Sequence, residues 1–280
     1  MAEPAEPELA EVPLLGGDVT EGVVRVGDTV RRPRQPWSDA VAGYLGHLAA
    51  VGFDGAPRWH GVDAQGRDIL DFIAGDVPGS PPEPWSTTDA VLADVGRLLR
   101  RLHEASSSYR PPADACWFGT DRTVELPPDL PALFEGPPEL VSHSDVTPQN
   151  VVCRDGHPVA LIDFDMTRPT VRLADVVNTA VHWLPLKHPD DREPVYAGVD
   201  VPARLRVLVD AYGLDVDRRA GFLALAHRGA RRSWHLMKAN AEQRGGGWAR
   251  MWAEGVGDAI RRRQAFLESE HDALTAALIG

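Results

Sequence analysis

"HSDVTPQNVVCRDGHPVALIDFD", residues 143–165, decides how the whole chain reads. A polar loop from His143 to Asn150 runs into an apolar stretch. Asp155-Gly156 interrupts it, and a second apolar stretch ends in Ile162-Asp163-Phe164-Asp165. Asp-Gly between two apolar runs signals a two-residue hairpin. A turn there predicts the pairs Arg154–His157, Val152–Val159 and Asn150–Leu161. Paired residues share a sheet face, and so do residues two apart on a strand. Asn150 and Asp163 are therefore expected as diagonal neighbours, with Cβ atoms roughly 7–8 Å apart or less. An amide oxygen and a carboxylate so placed suit one hard cation such as Mg²⁺, with water and phosphate completing its shell. Asp145, on the loop just before, is placed to face whatever the cation holds. Two ligands at strand ends and one further carboxylate are the parts phosphoryl transfer needs. Each residue alone is ordinary turn chemistry; their joint spacing carries the reading.

Upstream, "VVRVGDTVRR" (residues 23–32) reads as a hairpin around Gly27-Asp28. "PWSDAVAGYLGHLAAVGF" reads as a helix capped by Ser38, and "PRWHGVDAQGRDILDFIAG" as two strands joined at residues 64–67. "STTDAVLADVGRLLRRLHEAS" repeats Val91, Leu92, Val95, Leu98, Leu99 and Leu102 at helical spacing, with Ser86 or Thr87 as cap. Downstream of Asp165 the pattern is helical, over residues 172–183, 202–212, 217–240 and 248–278. The expected fold class is α+β in two lobes. An acidic, disordered leader (1–13) precedes a small β-rich N-lobe (14–75). A connector (76–84) leads to a larger, mostly helical C-lobe (85–280).

"HSDVTPQN" and "LIDFDMTRP" resemble the His-x-Asp-x4-Asn loop and Ile-Asp-x-Asp metal motif of the aminoglycoside phosphotransferase and choline kinase-like small-molecule kinases. They are also similar to the protein-kinase H-R-D-x4-N and D-F-G pair. The resemblance spans most of the chain, though only the hairpin is specific. It implies a bilobal protein-kinase-like fold binding ATP or GTP at the connector. By the same resemblance Asp145 is the catalytic base, Asn150 and Asp163 hold Mg²⁺, and His143 shapes the loop. Asp165 either assists the metal or braces the loop. The connector backbone at Asp71, Phe72 and Ile73 would meet the nucleotide base.

Three features depart from the pattern. Kinase-like folds place a lysine on the third strand to grip phosphates, but the chain's two lysines are Lys187 and Lys238. The resemblance assigns that task to Arg32, with Arg31 as the alternative; a guanidinium binds phosphate bidentately. The helix after it offers only Asp39, too early to pair with such a residue, and His47, which reads as a surface or packing side chain. "LLGGDVTEGVV" carries Gly16, Gly17 and Gly22 but no G-x-G-x-x-G. With no A-P-E element after the metal motif, a protein kinase is disfavoured.

The 280 residues carry 41 acidic against 29 basic side chains, a net charge of −12, so a nucleic-acid partner is not expected. No apolar run approaches the roughly 18 residues of a membrane span. "MAEPAEPELAEVP" has neither the basic nor the apolar region of a signal peptide. Cys116 and Cys153 are the only cysteines, which suits a reducing, cytoplasmic location. The expected reaction is ATP- and Mg²⁺-dependent phosphorylation of a hydroxyl on a small molecule. An aminoglycoside or other antibiotic is the leading acceptor, and acids such as Asp210, Glu242, Glu254 and Asp258 would favour a cationic one. "RGARRSW" (residues 228–234) is a basic patch of opposite tendency. The alternative is a degenerate kinase-like binding or immunity protein that sequesters a small ligand.

Overall fold

The computed structural model describes residues 10–14, 22–119 and 124–280. Gly16 and Gly17, and residues 1–9 of the expected leader, lie outside them. Among the described residues the N-lobe is an antiparallel sheet in the order β1-β2-β3-β5-β4. Its strands are β1 (Glu11–Pro13), β2 (Val24–Val26), β3 (Thr29–Pro33), β4 (Trp59–Val62) and β5 (Arg67–Asp71), with α1 (Ser38–Ala50) between β3 and β4. Gly27 takes a φ of +59° at the β2–β3 turn, which glycine adopts without a Cβ penalty. Glu11–Pro13, expected in the leader, instead pair with β2 in the register Glu11–Val26 to Pro13–Val24; the open edge of β2 supplies partners for their backbone. α1 buries Ala40, Tyr44, Leu45 and Leu48. Ser38 is not its cap: it lies inside the helix, and its Oγ accepts from the Gln35 N–H at 2.9 Å.

The connector is fastened to the C-lobe. Asp76 N–H donates to the Cys153 carbonyl at 2.9 Å, and Cys153 N–H returns the bond at 2.8 Å. Gly75, at φ +155°, lies so close beneath this seam that a Cβ there would come within 2.5 Å of the Cys153 oxygen. Next comes α2 (Asp89–Ser106), which buries the apolar repeat read from the sequence. Its cap is Thr88, whose side chain accepts from Val91 N–H, not Ser86 or Thr87; those two sit in the preceding 3₁₀ turn.

Two small antiparallel pairs follow: β6 (Leu140–Ser142) with β9 (Arg168–Thr170), and the hairpin of β7 (Val151–Arg154) with β8 (His157–Leu161). In the second, Arg154 pairs with His157 as expected. Beyond it the register corrects the sequence reading. Cys153 faces Pro158 and Val152 faces Ala160, so Val159 is an extra residue on β8, a bulge. Val151 then faces Leu161, and Asn150 meets Ile162 through the Ile162 N–H to Asn150 carbonyl bond of 2.9 Å. Asn150 and Asp163 still come together at the strand mouths, but one residue nearer in register than the Asn150–Leu161 pairing implies.

The rest is helical: α3 (Arg172–Trp183), α4 (Val201–Tyr212), α5 (Val216–Ala220), α6 (Phe222–Gln243), α7 (Gly246–Ala253), α8 (Val256–Ser269) and α9 (His271–Ile279). The spans expected as two long helices are broken. Gly221 separates α5 from α6, and Gly255, at φ +94°, separates α7 from α8. The core joins α2, α3, α4 and α6 through side chains such as Leu99, Trp183, Leu208 and Phe222. No helix among the described residues is long and apolar enough to cross a membrane.

Candidate active site

The loop between β6 and β7 is pinned from several sides. Ser144 sits in the left-handed region at φ +61°, and its carbonyl accepts from Asn178 Nδ2 on α3 at 2.8 Å. The Val146 carbonyl accepts from Trp183 Nε1 at 2.9 Å. His143 is fully buried; its Nε2–H donates to the Ile162 carbonyl at 2.8 Å, and its ring lies 4.5 Å from that of Phe164. His143 thus ties the loop to the segment carrying Asp163.

Between these anchors Asp145 is held by Asn150. Asn150 Nδ2 donates to Asp145 Oδ2 at 2.9 Å and to the Asp145 carbonyl at 3.0 Å. The amide's own oxygen is the atom Asn150 could offer a cation. Burial, aided by the Asp163 charge, pushes the Asp145 carboxyl up to about 6, against the pull of His143, Arg168 and the Asn150 hydrogen bond. A carboxylate poised there suits general-base work near neutrality.

Asp163 takes a left-handed φ of 61°, a conformation Asp tolerates better than most residues. Burial alone would raise its carboxyl, but the Arg32 guanidinium holds it below the usual range. Arg32 Nη1 lies 2.9 Å from Asp163 Oδ1, and Nη2 bonds Asp165. That Oδ1 is buried and outside hydrogen-bond alignment, while the Asp163 side chain as a whole is 41% exposed to the cleft. The exposed part of this carboxylate could take a cation. Among the described residues no three His, Cys, Asp or Glu side chains surround one point.

Strand alternation sends Arg31 away from Arg32. It bonds Thr29 Oγ1 at 2.6 Å and faces Asp63 at 3.7 Å. On α1, Asp39 pairs with Arg34, and His47 lies 3.0 Å from the Ala105 carbonyl; Arg32 pairs instead with Asp163 and Asp165. At the connector, Asp71 N–H donates to the Arg58 carbonyl at 3.0 Å and Phe72 N–H to the Asp28 carbonyl at 2.9 Å. These two donors serve the sheet. The Phe72 ring lies 3.8 Å beneath the Arg25 guanidinium.

A family model described as "Phosphotransferase enzyme family" matches residues 120–222. The trifolitoxin immunity protein of Rhizobium leguminosarum bv. trifolii is 38% identical over 222 residues, covering 76% of this chain and 78% of that protein. The chain belongs to the phosphotransferase enzyme family. A choline/ethanolamine kinase family protein from Mesorhizobium loti superposes with a TM-score of 0.61 at 18% identity, over 96% of this chain and 92% of that one. An amicoumacin kinase in complex with AMP-PNP, Ca²⁺ and Ami gives 0.64 at 12% identity, over 94% and 89%. The fold is that of the protein-kinase-like small-molecule kinases.

The supports beneath the loop were not singled out from the sequence. Asp175, buried on α3, accepts from Ser142 Oγ and from His103 Nε2–H at 3.1 Å. His103 Nδ1 in turn accepts from the Tyr212 hydroxyl at 2.7 Å. These bonds tie α2, α3 and α4 to β6. The available signal was an acid and an amide inside the apolar run "LADVVNTAVHW".

Proposed function

We propose that this chain is a Mg²⁺- and ATP- or GTP-dependent kinase that phosphorylates a hydroxyl of a small molecule, in the cytosol. The observation carrying the proposal is Asp145, held by Asn150 within the cleft with its carboxyl raised to about 6. Asp145 accepts the acceptor's proton as that oxygen bonds the γ-phosphorus and the bond to the departing nucleoside diphosphate breaks. Such a base contributes typically ~10²–10⁴-fold. Asn150 Oδ1 and Asp163 would hold Mg²⁺, which neutralises polyphosphate charge. Arg32 steadies the phosphates, Asp165 braces Arg32, and the connector carbonyls with Ile73 receive the base. The relative named as an immunity protein, and the likeness to an amicoumacin kinase, support a role in neutralising a toxic molecule.

A second reading, ligand sequestration without transfer, is favoured by one observation: Arg32 already neutralises both metal-loop carboxylates. Thermal shift with ATP and GTP, each with and without Mg²⁺, separates the two. Ligand at 100 times Kd stabilises by about 2.7 kcal/mol. A kinase shows a Mg²⁺-dependent shift that Asp163→Ala abolishes; a sequestering protein shows none with either nucleotide.

A further inference from the structure

Arg32 reaches from β3 to the C-lobe and forks: Nη1 lies 2.9 Å from Asp163 Oδ1, and Nη2 bonds Asp165. Both carboxylates sit on one stiff segment. Asp163 is set at φ +61°, the Phe164 ring is buried 4.5 Å from that of His143, and Asp165 follows inside a 3₁₀ turn. Ile162, just before them, is held at both backbone groups. Its N–H donates to the Asn150 carbonyl at 2.9 Å, and its carbonyl accepts from His143 Nε2–H at 2.8 Å. Of the two sides of the fork, the long arginine side chain has the rotatable bonds to move.

The sheet does not hold Arg32 back. Asp68, opposite it in the β3–β5 register, is committed to Arg34 at 3.3 Å and to Trp59 Nε1 at 2.9 Å. Space around the fork is small. The cavity that Arg32 shares with Asp68, Asp163 and Asp165 measures about 30 Å³, room for about two waters. Mg²⁺ dehydrates reluctantly, so a hydrated ion does not fit there beside the guanidinium. On its exposed side Asp163 offers a carboxylate whose charge Arg32 already balances, and the guanidinium repels an approaching divalent ion. Phosphate shifts this balance. A guanidinium takes phosphate oxygens as readily as carboxylate, and polyphosphate carries more charge than Asp163. Nη1 can pass to phosphate while Nη2 stays with Asp165.

We propose that the Arg32 fork gates the cation site. Nucleotide-free protein keeps divalent cations off Asp163, and polyphosphate opens the gate by drawing Arg32 away, so cation and nucleotide load together. The polyphosphate half rests on the kinase reading; the exclusion of free cation rests on the fork alone. Linkage then gives Arg32 opposite effects on the two ligands. Its removal strengthens binding of cation alone and weakens binding of nucleotide alone. A side chain that only braced the cleft would, when removed, weaken both.

Mn²⁺, whose spin resonance reports the unbound ion, is titrated into the nucleotide-free full chain, and ADP is titrated calorimetrically without and with Mn²⁺. Loss of one positive charge beside a divalent ion predicts that Arg32→Gln binds Mn²⁺ ~10-fold or more tighter than wild type. Adding Asp163→Asn to that variant abolishes the gained site. Loss of charge-assisted bonds predicts that Arg32→Gln binds cation-free ADP ~10-fold or more weaker. Arg32→Lys keeps a positive charge between the carboxylates, so it folds even where Arg32→Gln does not. Its single ammonium cannot fork, so it gains Mn²⁺ affinity several-fold. The gate is overturned by equal nucleotide-free Mn²⁺ affinity in wild type and both variants, or by gained binding that survives Asp163→Asn. It is also overturned by ADP affinity that does not fall in Arg32→Gln, or by a loss of both ligands from an Arg32→Gln protein with native circular dichroism. The two readings fail separately. Mn²⁺ gained by the variants, with ADP bound by no chain in either condition, overturns the kinase reading and upholds the exclusion of free cation. ADP bound with Mn²⁺, and no Mn²⁺ gained by either variant, upholds the kinase reading and overturns the gate.

Discussion

Asp145→Asn should make the nucleotide-free protein more stable while disabling it. Burial raises the Asp145 carboxyl from 3.8 to about 6. An acid whose pKa is raised by folding stabilises the fold fully only below its unfolded value, near 3.8. That contribution is lost as pH climbs through the folded value near 6, and is absent above it. The difference of roughly two pH units corresponds to about 3 kcal/mol of stability sacrificed at pH 8 to keep the carboxylate charged. The substituted amide would keep the size of the side chain, and an oxygen that accepts from Asn150, without the charge. For a chain of 280 residues, 3 kcal/mol moves the midpoint by ~5 °C. Calorimetry of Mg²⁺-free protein should show Asp145→Asn melting about 5 °C above wild type at pH 8, with roughly half that gap at pH 5. Phosphate transfer should fall by at least ~10²-fold in the same variant. A melting difference that is zero at pH 8, or that does not shrink on acidification, would refute the argument that burial penalises the charged form of this carboxyl.

Removing Arg32 leaves two carboxylates facing each other. Because Asp163 is 41% exposed, Arg32→Ala should cost about 2 kcal/mol rather than the larger penalty of a fully buried pair. Arg32→Lys should recover part of it, since one ammonium cannot fork between two carboxylates; urea midpoints read both. Gly75→Ala should lose ~1–3 kcal/mol through its positive φ and the Cys153 oxygen 2.5 Å from the new Cβ. Gly46→Ala, exposed on α1 with nothing within 4 Å, should instead gain ~0.5–1 kcal/mol. Asp175→Ala strands the Ser142 hydroxyl and His103 Nε2–H; it should cost ~1–3 kcal/mol in chemical denaturation.

Local chemistry was legible in the sequence, and contacts between distant segments were not. The Asp155-Gly156 turn, the apolar face of α2 and the limits of α3 follow from spacing and turn residues alone. The bulge at Val159 does not, because an extra residue in a ladder leaves no trace in an apolar run. Alternation implies that Arg31 and Arg32 point to opposite faces, but which face looks into the cleft depends on where the C-lobe docks. The breaks at Gly221 and Gly255 were signalled by glycines overridden by a continuous apolar pattern. Arg228 and Arg232 meet Glu135 and the Pro131 carbonyl only in three dimensions, so "RGARRSW" by itself could not be told from a solvated helix face.

The missing lysine and the missing helix acid are best understood as one change rather than two defects. In the usual arrangement the strand cation is steadied by a carboxylate on the helix, away from the metal ligands. Here Arg32 forks between Asp163 and Asp165, so the cation is steadied by the proposed metal-binding segment itself. On the proposed reaction, Asp163 would exchange the guanidinium for Mg²⁺ while Arg32 would exchange that one carboxylate for phosphate. Neither group then faces the low-dielectric cleft unpaired before or after the exchange. Asp165 keeps hold of Arg32 during it, which gives the second aspartate of "IDFD" a task distinct from binding metal. The same geometry explains why α1 can be nearly free of acids: His47 and Tyr44 are committed to packing against α2 and the segment that follows it, and nothing on the helix is required to reach across to β3.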